Sequence, residues 1–176
     1  MHETTAIPRR GAGDSQSTLW NERTPAEIID HILQRFHEPL RRELPALVAA
    51  ARRVEAEEQG HPQCPTGLAA HLEQVLLAVE SHLQKEEKIL FPLILAGRGG
   101  VAFMPIKVMM AEHDDHKANL ERLAVLAHAF AAPPDADSAW CELYRRLADL
   151  DRELREHIAL EDHVLFTRVL GGGATV

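Results

Sequence analysis

Two stretches of this sequence carry the same side chains at the same intervals. His82-Leu83-Gln84-Lys85-Glu86-Glu87-Lys88-Ile89-Leu90-Phe91 and His157-Ile158-Ala159-Leu160-Glu161-Asp162-His163-Val164-Leu165-Phe166 both read H-x-x-x-E-x-x-x-L-F. On a helix, a spacing of four stacks an imidazole and a carboxylate one turn apart on a single face, and the Leu continues that face. A single H-x-x-x-E is commonly a solvated pair worth a few tenths of a kcal/mol. Two copies with matching flanks point to chemistry, and two further histidines strengthen the case. His37 and His113 each fall on the apolar stripe of an intervening segment. His37 to His82 spans 45 positions and His113 to His157 spans 44, so the chain returns to about the same height each time. Leu44 and Leu120 follow their histidines at the same offset of seven.

Four imidazoles and two carboxylates suit a pair of iron or manganese ions, with each Glu bridging the ions and two His on each. Zinc favours fewer ligands in a tetrahedron, and no thiolate joins the pattern. Ferritin-type sites use E-x-x-H with more carboxylate and less imidazole. Six such groups buried without a cation would cost several kcal/mol. The other histidines read differently. His31 is expected to hydrogen-bond in the core. His116, one turn beyond His113, could add a fifth imidazole but is expected beside the ligands or at the surface. His71, His128 and His163 are expected to be solvated or just behind the ligands, and His2 and His61 lie in a tail and a loop. Glu87, Lys85 and the Arg41-Arg42 and Arg52-Arg53 pairs read as solvated faces, and Glu112 as a surface carboxylate.

Positioning these groups requires four helices. Apolar residues make up 45% of 176 and aromatics 5%, and Ala, Leu, Glu and Arg dominate over strand formers. Thr24-Pro25-Ala26-Glu27 spells a helix start with a capping box. The first helix is predicted to run to about Glu57, kinked or broken at Pro39 and Pro45. A loop over 59–65 follows, then a second helix from about Thr66 to Leu95, ended by Gly97-Arg98-Gly99-Gly100. The third is predicted from about Pro105 to Ala131, stopped by Pro133-Pro134, and the fourth from Asp137 or Ser138 to before Gly171. The expected fold is all-α, an antiparallel up-down four-helix bundle over 20–170. Residues 1–19 are predicted to form a disordered polar tail, tacked on by Trp20, and 171–176 a flexible C-terminal tail.

A net charge of -8 argues against a nucleic-acid partner. The first twenty residues lack the apolar core of a signal peptide, and no apolar stretch is long enough to span a membrane. Cys64 and Cys141 form no paired motif, which fits a reducing, cytoplasmic compartment. Oligomeric state is not legible.

The stretches DHILQRFH, HPQCPTGL, ESHLQKEEKILFP, PIKVMMAEHDDH and REHIALEDHVLF resemble the hemerythrin-like domain of the bacterial iron–sulfur cluster repair proteins, the repair-of-iron-centres family. The resemblance covers roughly Trp20 to Leu170. It implies a hemerythrin-like bundle with an oxo- or hydroxo-bridged non-haem di-iron centre on His37, His82, Glu86, His113, His157 and Glu161. It also implies a part in nitrosative or oxidative stress, restoring damaged iron–sulfur proteins, as iron donor or otherwise. Nitric oxide or dioxygen would be its small ligands. Members of the family often carry an N-terminal domain with an adjacent cysteine pair; here a short polar tail is expected in its place. Neither Cys64 nor Cys141 substitutes for that pair. Oxygen-carrying hemerythrins have H-x-x-x-H on the third helix, whereas this sequence has His113-Asp114-Asp115-His116, which disfavours a five-histidine carrier. Other functions compatible with the same residues are a gas-binding or gas-sensing module, a nitric oxide or peroxide reductase, and a metal-free interaction bundle.

Overall fold

The computed structural model describes Trp20 and residues 22–172. The predicted tail over 1–19 and most of the predicted C-terminal tail lie outside the described residues. Four long helices follow one another: residues 25–57, 68–95, 99–126 and 138–170. The first packs along the second, the second along the third, and the first and third each along the fourth, closing a four-membered ring.

The helix starts follow the local chemistry. Thr24 caps the first helix as a capping box: Glu27 N–H donates to Thr24 Oγ1 at 3.3 Å, and Thr24 N–H donates to Glu27 Oε2 at 2.7 Å. Asp137 caps the fourth, accepting from Trp140 N–H at 2.8 Å. The second helix ends at Leu95, and Gly97 adopts φ 67°, the left-handed region that glycine enters without a Cβ clash. Gly99 and Gly100 do not extend that terminator as expected. They open the third helix, six residues earlier than predicted, and Pro105 sits inside it. The same helix stops at Leu126, short of Ala131, because His128, Ala129 and Phe130 turn left-handed with φ of 49°, 55° and 62°. Such backbone costs about 1–2 kcal/mol per residue. It is offset by His128 Nε2 donating to Gln63 O at 3.1 Å and by Phe130 packing on the core.

The expected break at Pro39 or Pro45 does not occur: the helix is continuous from Glu38 to Glu57 with Pro45 inside. The irregularity lies just upstream, where Leu33–His37 forms a π-helical turn. Two more π segments, Glu86–Leu90 and Glu161–Phe166, interrupt the second and fourth helices. Their cause is legible in the buried positions. Ile28, Ile32, Phe36, Leu40, Leu44 and Val48 recur strictly every four residues, as do His82, Glu86, Leu90 and Ile94. In an α-helix each step of four overshoots a turn by about 40°, so a long run of fours drifts off the inward face. A wider π turn takes up the drift. The third helix buries Ala102, Ile106, Met109, His113, His116, Leu120 and Leu123, alternating fours and threes, and has no π segment.

The core divides in two. One apolar cluster runs from Leu40 through Leu72, Leu120 and Trp140 to Ile158. The other gathers Ile28, Ile32, Phe36, Phe91, Ile106 and Phe166. The layer between them is polar.

Candidate metal centre

His37, His82, Glu86, His113, His157 and Glu161 form that layer, each no more than 2% exposed. All three π segments contain or touch one of these residues, and only His113 comes from uninterrupted α-helix. The six side chains make two groups that share both carboxylates: His37, Glu86, His157 and Glu161, and His82, Glu86, His113 and Glu161. Within each group one donor atom per residue lies within 4.8 Å of every other. Glu86 turns Oε2 to His37 Nε2 at 3.3 Å and Oε1 to His82 Nε2 at 3.5 Å. Glu161 turns Oε1 to His157 Nε2 at 3.1 Å and Oε2 to His113 Nε2 at 3.2 Å. Nε2 faces Nε2 at 3.3 Å between His37 and His157 and at 3.1 Å between His82 and His113.

Despite these approaches, none of the four carboxylate oxygens receives a hydrogen bond of proper geometry among the described residues. Buried polar atoms without partners are rare, and a buried carboxylate without them is costly. Lewis bases converging on two shared points suit two divalent cations. Two nitrogens and two carboxylate oxygens at each point would leave open coordination positions on a bound ion, as non-haem iron sites do.

The outer nitrogens explain how the rings are held. His37 Nδ1 donates to Glu87 at 2.8 Å, His82 Nδ1 to Glu112 at 2.9 Å, and His113 Nδ1 to Asp162 at 2.8 Å. Donation from Nδ1 leaves Nε2 as the inward nitrogen. Glu87 is itself gripped by Arg41 at 2.8 and 3.2 Å, Glu112 pairs with Lys85, and Asp162 lies 3.5 Å from Lys117 Nζ. Glu87, Lys85 and Arg41 are therefore part-exposed but also engaged in holding the inward rings, and Glu112 is not a free surface carboxylate. Asp162 went unnoticed in the sequence. Its signal was there: each H-x-x-x-E continues with a second acid, Glu87 or Asp162.

Electrostatics follow from this enclosure. Burial disfavours a charged His113, but Asp162 and Glu161 outweigh it and push its pKa up to about 9. His37 and His82 are also raised against burial, chiefly by Glu86. Burial would raise Glu161, yet His157 and His113 hold it well below the usual carboxylate range. Glu87, Glu112 and Asp162 are lowered against burial by their basic partners.

The remaining histidines sort plainly. His116 is not at the surface; it is 3% exposed, edge-on to His82 at 4.8 Å, with neither ring nitrogen hydrogen-bonded among the described residues. Burial, with His82 and His113 nearby, pushes it down to about 4. Among the described residues His31 makes no core hydrogen bond; its ring lies tilted against Trp20, centroids 4.6 Å apart, and meets Phe36 edge-on. His71 bridges to Asn119 O at 2.9 Å, His61 rests edge-on against Trp140, and His163 is exposed.

Fold and site together define a helical bundle assembled around a two-ion His/Glu centre. A family model, the hemerythrin HHE cation binding domain, matches residues 28–169. The chain is 41% identical over 153 residues to the iron-sulfur cluster repair protein YtfE of Citrobacter koseri, covering 87% of this chain and 70% of that protein. It is 40% identical over 151 residues to the probable iron-sulfur cluster repair protein of Haemophilus influenzae, covering 86% and 68%. The YtfE protein of Escherichia coli O127:H6 is 40% identical over 153 residues, covering 87% and 70%. The chain belongs to the hemerythrin HHE cation-binding domain family, alongside these repair proteins. Its buried His/Glu cluster fits the di-iron centre of that family. Among the described residues no helix is long and apolar enough to cross a membrane.

Proposed function

We propose that this chain is a non-haem di-iron protein that supports the repair of damaged iron–sulfur clusters by yielding iron from its centre. His37 and His157 would hold one ion, His82 and His113 the other, and Glu86 and Glu161 would bridge them. Residues 20–170 form the hemerythrin-like domain in this reading, working in a reducing, cytoplasmic setting with damaged iron–sulfur proteins as clients. The observation that carries it is the set of four buried carboxylate oxygens without hydrogen-bond partners among the described residues, set among four inward imidazole nitrogens. The imidazole and carboxylate donors favour iron over thiolate-loving metals, and the free thiols, Cys64 and Cys141, take no part in either donor group. The names of the similar proteins support the repair role.

Iron would supply a redox-active Lewis acid with open positions. The protein's own groups do the rest. Glu87, Glu112 and Asp162 fix the imidazole tautomers and orientations, and the two apolar clusters keep bulk water from the layer. The test has two parts. Protein purified anaerobically without added metal should carry about two iron ions per chain. A damaged iron–sulfur enzyme should then regain activity with matching loss of iron from this chain. Retention of all iron while the client stays inactive would overturn the donor role.

A second reading, reversible binding of nitric oxide or dioxygen, is favoured by His116. Its neutral imidazole lies buried beside His82 without a hydrogen-bond partner among the described residues, suited to hydrogen-bond a small ligand. Ligand binding with full retention of iron supports that role, and many turnovers with an electron donor would make the protein a reductase.

A further inference from the structure

The repeat that relates the two helix hairpins extends past the six inward residues. His37 corresponds to His113, His82 to His157, Glu86 to Glu161 and Glu87 to Asp162. Around the imidazoles of the first and third helices the match is complete. Glu87 accepts from His37 Nδ1 at 2.8 Å, and Asp162 accepts from His113 Nδ1 at 2.8 Å. A cation four residues after each His, Arg41 or Lys117, steadies that carboxylate. Phe91 stacks on His37 and Phe166 on His113, both with centroids 5.8 Å apart.

Around the other two imidazoles the match fails. His82 Nδ1 donates to Glu112 Oε2 at 2.9 Å, and Lys85 holds Glu112. Glu112 immediately precedes His113, so its counterpart immediately precedes His37 and is Phe36. Lys85 follows His82 by three, so its counterpart is Leu160. An acid and its cation are thus replaced by two apolar side chains. Phe36 lies nearly parallel to the His157 ring, 13° off at 5.1 Å, and His157 Nδ1 is buried with no hydrogen-bond partner among the described residues.

An imidazole that donates its outer N–H to a carboxylate is a better base at the inner nitrogen and is fixed in orientation. Loss of such a partner costs about 10–100-fold in metal affinity. The His82/His113 position has two of these supports, and the His37/His157 position has one. We propose that the two ion positions are unequal, and that the position between His37 and His157 holds its metal about 10–100-fold more weakly and releases it first. The inference rests on the di-metal reading above and names which half of the centre is the donor. The surroundings agree with that direction. Phe36, stacked on His157, also lines a surface groove of about 520 Å³ together with Leu160, Trp20, His31, Arg35 and Glu156.

The experiment uses the full chain, stripped of metal and given one equivalent of ferrous iron without oxygen. Crystals of that species should show an anomalous iron peak between His82 and His113. A peak between His37 and His157, or equal occupancy of both, would overturn the ranking. In solution, competition with a chromophoric chelator should resolve two affinity classes. Glu112→Gln should weaken the tight class by about 10–100-fold and leave the weak class in place. Glu112 is 24% exposed in its side chain, so the fold should survive, as circular dichroism would verify. A Glu112→Gln protein with an unchanged tight class would count decisively against the proposal. Phe36→Glu with Leu160→Lys should raise the weak class instead. A folded wild-type chain that takes up no metal overturns the di-iron reading itself, which separates that failure from a wrong ranking.

Discussion

On the proposed ligand set Glu86 and Glu161 each reach both ion positions, whereas each imidazole reaches one. Removing a carboxylate should therefore empty the whole centre: Glu86→Ala or Glu161→Ala should bind far less than one iron per chain by elemental analysis. His61→Ala, altering a ring that rests on Trp140, should retain the wild-type complement. Two full equivalents in both Glu variants would sink the bridging assignment. Protons compete at the same atoms. His113 has an ordinary value of 6.5 and a folded value of about 9, so its charged contacts stabilise the metal-free fold fully below 6.5 and are lost as pH rises through 9. The contribution is of the order of 3 kcal/mol. Metal requires the neutral ring, so its affinity should climb across the same interval as metal-free stability falls. Calorimetry in buffers of different ionisation heat should find protons released on binding near pH 7.5; none released would contradict a charged His113. The inward six were legible because they repeat at fixed spacing. Glu87, Glu112 and Asp162 were not, because a residue next to an inward one lies about 100° around the helix and reads as solvated. In a four-helix ring that direction faces the neighbouring helix, within reach of its imidazole.

Helix number, order and the N-terminal caps at Thr24 and Asp137 were legible from local chemistry that tertiary packing did not override. Thr24→Ala, which removes the capping box, should lower stability by about 1 kcal/mol in denaturant unfolding without altering metal content. The π segments escaped because a run of fours reads as an ordinary apolar stripe over two turns, and its drift shows only over four or five. Pro39 misled for a related reason. It follows a π segment by two residues, so the helix has already widened where the missing N–H falls. If the π turn at Glu86–Leu90 exists to hold Glu86 in line with His82 and Leu90, deleting the exposed Lys88 should restore α-geometry locally. Far-UV circular dichroism should stay helical while iron stoichiometry falls below half. A deletion variant with two iron ions per chain would show the π turn to be dispensable for the site.

At the scale of the molecule, the polar layer divides two apolar clusters that differ in how they are held. The cluster around Leu44, Leu72, Trp140 and Tyr144 draws on all four helices and is sealed by long uninterrupted α-helix. The cluster around Ile28, Phe91, Ile106 and Phe166 lies at and beyond the three π turns, where the helices are widened, with the six proposed ligand residues between it and the other cluster. Bound cations would tie the four helices together at that level. A ligand that binds only the folded state adds about 4 kcal/mol at a thousandfold excess over its dissociation constant. Chelation should therefore lower the thermal midpoint, and the loss should be uneven. Amide exchange at Ile29, Ile94 and Leu165 should accelerate strongly on metal removal, while that at Leu47, Leu72 and Leu147 should change little, because local opening follows the weakest-held unit. Uniform acceleration across both clusters would mean that the metal stabilises one cooperative bundle. Unchanged exchange in both would mean that the helices already hold the site in shape. Acceleration confined to the widened end would tie release of iron to opening of that half alone, with the larger apolar cluster left folded to take iron up again.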